Sequence, residues 1–189
     1  MKAATQIQLL QKGHPGAFKQ LVDQYKDLLL NTCYRFVQNR EDAEDLAQDV
    51  FIEVHRSIHH FRGDSSLKTW LYRIAVTKSL DHLRKQQKRK THQLTDEQLN
   101  LLKADHLTDN DNEQLSIRLK ALKKAMTRLN ENQRTAFTLN KYEGLTALEI
   151  AEIMNLKKSG VDALIHRAKA KLRKELEKIV SQKSQKAQV

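Results

Sequence analysis

Apolar residues recur at intervals of three and four along the first half of the chain, and almost nothing interrupts them. Phe18, Leu21, Val22, Tyr25, Leu28, Leu29, Cys33, Phe36 and Val37 mark one amphipathic helix. Asn39 is placed to cap a second helix, whose inward stripe is Leu46, Ala47, Val50, Phe51, Val54 and Ile58. The run FRGDSS then breaks the pattern. A third helix follows from about Ser66 through Trp70, Leu71, Ile74 and Leu83 into the basic run RKQQKRK. With only five Gly and one Pro in 189 residues, the chain has few of the turns that strands require, so an all-α fold is expected.

The length allows one large or two small helical domains, and the pattern along the chain fits two. The first spans 1–90. Between 91 and 113 the period weakens, and six acids against one Lys predict a flexible, solvated linker. The period returns over 114–180, and 181–189 is a polar tail expected to be disordered.

The second domain carries the sharpest pattern. TALEIAEIMNLKKSGVDALIHR reads as two helices around a tight turn, with Thr146 and Glu149, then Ser159 and Asp162, at capping-box spacing. Ile150, Met154, Leu156, Val161 and Leu164 are predicted to face one core. Small Ala151 permits a close crossing, and Asn155 tolerates a left-handed turn. This is a helix-turn-helix pattern, in which the second helix enters a DNA groove. It would present Lys157, Lys158, Ser159, Asp162, Ala163, His166 and Arg167, with Lys169, Lys171, Arg173 and Lys174 continuing a phosphate-facing surface.

Charge raises a separate question. Lys and Arg outnumber Asp and Glu by 34 to 23, a formal net charge of +11 that favours a polyanionic partner such as nucleic acid. Yet EDAEDLAQDVFIE, residues 41–53, holds six acids and no base. At roughly 100° per residue, Glu41, Asp45 and Asp49 fall opposite the Leu46, Val50 and Val54 stripe, with Gln48 at one margin and Ile52 among the acids. An apolar side chain ringed by acids has the form of a protein-docking surface. A divalent-metal site fits less well, because one helix supplies no second converging set of ligands.

Other chemistry finds little support. His55 and His59 share a helix face without a third ligand of suitable spacing, so a solvated pair is the better reading. Cys33 is a core residue by its position. No nucleophile and base arrangement and no Gly-rich phosphate loop is present, so neither enzymatic activity nor a cofactor is expected. Without a signal peptide or a long apolar run, the expected location is cytoplasmic, with no membrane insertion.

Three stretches, DAEDLAQDVF, FRGDSSLKTWLYRIAVTKSLDHLRK and LNENQRTAFTLNKYEGLTALEIAEIMNLKKSGVDALIHRAKAKLRKEL, resemble in order the bacterial sigma factors of the extracytoplasmic-function (ECF) group, within the sigma-70 family. The resemblance implies a protein that binds RNA polymerase core, through the clamp helices and flap of its large subunit. It would direct initiation at minus-ten and minus-35 promoter elements and be held by an anti-sigma factor. It places Asp45, Gln48, Asp49 and Ile52 in the polymerase-docking motif. It also places 61–68 in a loop that captures a flipped nontemplate base, with Phe61, Arg62, Asp64, Ser65 and Lys68, and then Arg84 and Lys85, on minus-ten DNA. The minus-35 surface would be Lys157, Lys158, Ser159, His166, Arg167, Lys169, Lys171 and Arg173. Thr77 stands where the group commonly has Asn, and Asn130 where it often has Pro. Asp162 and Leu164 stand where its recognition helix often reads basic. The competing reading is a stand-alone helix-turn-helix regulator.

Overall fold

The structure is a computed structural model that describes residues 3–93, 121–122 and 125–186. Every regular element it contains there is helical: α1 Ala3–Gln11, α2 Pro15–Val37, α3 Arg40–Ser57, a 3-10 turn Ile58–His60, α4 Leu67–Gln93, α5 Glu131–Lys141, α6 Ala147–Met154 and α7 Lys158–Lys186. The chain divides into two compact units, one built by the helices through α4, the other largely by those from α5 onward. Most of the expected linker falls outside the described residues, only 91–93 being seen, as the end of α4. Of the expected tail, 187–189 lie outside the described residues, and 181–186 continue α7, which runs to Lys186. Its Gln and Lys residues there are good helix formers.

In the first unit α2 opens with Pro15 at its first turn, where a missing N–H costs nothing. It ends at Gln38, whose left-handed backbone (φ 56°) lets its N–H bond the Tyr34 carbonyl at 2.8 Å. Asn39 then caps α3, its side chain accepting from the Asp42 N–H at 3.0 Å. Glu41 and Asp42 in the first turn of α3 complement its dipole. Leu21 and Leu29 of α2, Val50 and Val54 of α3, and Leu71 and Ala75 of α4 form a core from which solvent is wholly excluded. Phe51, predicted for the inward stripe, lies at its partly buried edge. Helix α1, which the apolar pattern did not mark, adds Leu10 to this core, with Ile7 and Leu9 packed against it.

The second unit starts its α5 at Asn130, which makes a complete capping box with Gln133: Asn130 accepts from the Gln133 N–H at 2.8 Å, and the Gln133 side chain accepts from the Asn130 N–H at 3.3 Å. The departure from Pro at this position therefore replaces one helix-starting device with another. Below α5, Phe137 packs with Ala125, Leu129, Ala168 and Leu172.

Cys33 is fully buried in the first core, and that burial pushes its thiol up to about 11 from 9.0. The unfolded chain ionises this thiol first. Its contribution to stability should thus be complete below pH 9.0 and disappear as pH rises through about 11. Replacing Cys33 with Ala should remove that alkaline loss between the two values from denaturant titrations, and an unchanged alkaline slope would show that the loss arises elsewhere.

Candidate functional site

Helix α3 presents the acidic face. Its stripe of Leu46, Ala47, Val50 and Val54 is buried, which turns Glu41, Asp45, Gln48 and Asp49 to solvent. The six acids separate into two groups. Arg40 Nε donates to Glu44 at 2.8 Å, Lys78 Nζ lies 3.6 Å from Glu53, and His82 Nε2 lies 3.4 Å from Asp42. Among the described residues Glu41, Asp45 and Asp49 have no such basic partner. Beside them Ile52 is 48% exposed, an apolar side chain set among the three acids that lack a basic partner.

The loop after α3 departs from expectation at its first residue. Phe61 is only 8% exposed, with its ring 5.2 Å from that of Trp70, so it anchors the loop in the core and offers no open face for stacking. Its backbone N–H bonds the Ile58 carbonyl at 3.1 Å, and its own carbonyl accepts from Gln11 Nε2 at 2.9 Å. Arg62, Gly63 and Asp64 are exposed and Ser65 is half-buried. Gly63 has φ +80°, where a Cβ would be strained although nothing stands in its way. At the far end Ser66 caps α4, its hydroxyl accepting from the Thr69 N–H at 3.0 Å.

Along α4, Lys68 is exposed with Nζ 5.8 Å from the Tyr72 ring centroid. Tyr72 itself is fully buried, whereas Trp70, the residue expected in the core, is half-buried. Thr77 and Lys85 are exposed, as is Arg84, which donates to Asp81 at 3.0 Å. His55 and His59 are exposed too, with His55 against the edge of Phe18. Among the described residues no group of three His, Cys, Asp or Glu is arranged to hold a metal ion.

In the second unit the helix-turn-helix is built as expected at its first half. Thr146 Oγ1 accepts from the Glu149 N–H at 3.3 Å, and Glu149 Oε2 accepts from the Thr146 N–H at 2.8 Å. Asn155 takes the left-handed conformation, φ 53°, and ends α6. Ala151 is buried at the turn.

The second half differs. Ser159 lies inside α7 rather than capping it, and Asp162 faces Lys158 Nζ at 3.0 Å. The three-residue spacing of a capping box was present, but α7 already begins at Lys158, so the carboxylate meets the side chain one turn back. The inward row is Val161, Ile165, Ala168 and Leu172; Leu164 is only half-buried and Leu156 is 42% exposed.

That row leaves Lys157, Lys158, Ser159, His166, Arg167, Lys169, Lys171, Arg173 and Lys174 on exposed surface. Gln11, Ile165 and the Asn130 cap were missed from sequence. The cap had a readable signal in Asn130 and Gln133 three apart. Gln11 had none.

Residues 21–89 match the family model for sigma-70 region 2, and residues 119–172 match that for sigma-70 region 4. The chain is 34% identical to the ECF RNA polymerase sigma-E factor of Haemophilus influenzae, across 92% of this chain and 95% of that one. It is 32% identical to the ECF RNA polymerase sigma factor SigW of Bacillus subtilis, across 93% and 97%. It shares its fold with CnrH, solved in complex with the cytosolic domain of CnrY, at 22% identity and a TM-score of 0.68 over 93% of this chain and 97% of that one.

The buried row makes a test of its own. Val161→Ala should cost about 2 kcal/mol of stability, while Leu156→Ala should cost under about 0.5 kcal/mol. Thermal denaturation of the two variants checks this, and equal losses would contradict the assigned packing.

Proposed function

This chain belongs to the ECF sigma factors of the sigma-70 family, and on that premise we propose how its faces divide the work of promoter recognition. It is a sigma factor that binds RNA polymerase core and directs initiation at minus-ten and minus-35 elements. The division rests on the separation of charge: unpaired acids around exposed Ile52 on α3, and a long basic row on α7.

Asp45, Gln48, Asp49 and Ile52 dock on the polymerase clamp helices. Ile52 is the desolvated anchor, and the acids set orientation and association rate against a basic partner. A basic face in that role would compete with DNA for the same protein. Residues 62–65 receive a flipped nontemplate base, which needs polar edges to offset lost pairing. Lys68, Arg84 and Lys85 hold the neighbouring backbone. On α7, Ser159 and His166 reach base edges of the minus-35 element, whereas the lysines and Arg173 contact phosphates. Arg167 serves either purpose.

The proposed domain limits are 1–90 for docking and minus-ten reading and 114–180 for minus-35 reading, joined through 91–113, whose first three residues end α4. The chain has no enzymatic activity of its own, since polymerase supplies the chemistry. It works in the cytoplasm with an anti-sigma partner. No described helix is long and apolar enough to cross a membrane.

Asp49→Lys should leave thermal unfolding nearly unchanged and weaken core binding by roughly one to a few kcal/mol. Fluorescence titration of core polymerase measures it, and native affinity would remove Asp49 from the docking face. Lys169→Ala should weaken all promoters about equally and lower the salt slope by roughly one. His166→Ala should instead change the sequence selected from a randomised minus-35 element. If Lys169→Ala shifts the selected sequence and His166→Ala does not, the division of α7 into readers and anchors is wrong.

A further inference from the structure

The segment 62–65, exposed over its first three residues, is held between two anchors of different kinds. The downstream anchor is local, because Ser66 binds the Thr69 N–H three residues on. The upstream anchor reaches across the fold: Gln11, at the end of α1, donates from Nε2 to the Phe61 carbonyl at 2.9 Å, fifty residues away. The same amide lies 3.4 Å from the Ile58 carbonyl.

A peptide is planar, so fixing the Phe61 carbonyl oxygen also fixes the direction in which the Arg62 N–H leaves the core. With the Phe61 ring buried, the free part of the loop begins at a set position and heading. Its first flexible point is then Gly63. Such pre-organisation lowers the ordering cost when a ligand binds, and it favours ligands that fit the one geometry presented. Packing does not require this amide, because the core contact of α1 comes from Leu10 and its neighbours Ile7 and Leu9.

We infer that Gln11 is a positioning residue for minus-ten readout, orienting the base-capturing loop through the Phe61 carbonyl. The inference rests on the reading of that loop as the capture site. Gln11→Glu keeps the shape and replaces the donor with an acceptor facing two carbonyls. Gln11→Ala removes the donor without adding charge. Gln8→Glu places the same charge on an exposed position of α1.

Each variant would be assembled with core polymerase and offered promoters carrying all four bases at each minus-ten position. Open-complex formation is read by a fluorescent base in the nontemplate strand. Both Gln11 variants should retain core affinity and lose no more than a few degrees of thermal midpoint, yet narrow the ratio between the best and worst base by roughly fivefold, the scale of one hydrogen bond. Gln8→Glu should keep the native ratio. A uniform loss at every base with the ratio intact would assign Gln11 to stability alone and overturn the inference. So would native behaviour of both Gln11 variants. Arg62→Ala and Asp64→Ala, measured alongside, separate the two levels. If they narrow the ratio and the Gln11 variants do not, only the role of Gln11 falls. If none does, the capture reading falls with it.

Discussion

Helix α3 has one stripe that can enter a core, and its burial against α2 and α4 sets the outward direction of everything else on that helix. Val50 and Val54 are wholly buried, and Leu46 nearly so. Each such aliphatic side chain contributes about 1.5–3 kcal/mol when removed from water. Rolling α3 to hide Ile52 would expose that stripe and bury carboxylates at still greater cost. The unpaired acids and Ile52 are therefore held outward by the same packing that stabilises the first unit. The negative charge of a basic chain is thereby gathered on one outward face of α3, the face proposed to meet polymerase, apart from the basic row of α7 proposed to meet DNA.

The second unit uses turn chemistry to the same end. Thr146 and Glu149 start α6, and the left-handed Asn155 ends it within eight helical residues. The path into α7 then places Val161, Ile165, Ala168 and Leu172 inward, so the basic residues between them share the solvent side. Exposed Lys158 and Asp162 form a pair of the kind that contributes little to stability and can separate when a phosphate competes for the lysine.

Much of this was legible in the sequence because it depends on residues close together in the chain. The period of three and four marked the cores of α2, α3 and α4. Asn39, Thr146 and Asn155 announced their caps by residue type and spacing. Errors arose where one-residue offsets or distant partners decide the outcome. Ser159 and Asp162 satisfied a spacing rule, but the earlier start of α7 redirected Asp162 to Lys158 and turned Ile165 inward ahead of Leu164. Phe61 sits at the head of a polar loop and is placed on minus-ten DNA by the resemblance, although it packs on Trp70 within the first core. Nothing local could reveal that the short α1 docks on that core, or that Gln11 bonds a carbonyl fifty positions on.

As a sigma factor, this chain gives polymerase core its promoter choice, and two separate readers are proposed to make it. The most direct measurement sequences the 5′ ends of transcripts made in vitro from a whole bacterial genome by core polymerase, with and without the protein. Start sites that depend on the protein should share two upstream motifs, near minus-ten and minus-35, at nearly constant separation. The same set of starts with and without it, or new starts sharing a single motif, would contradict the account.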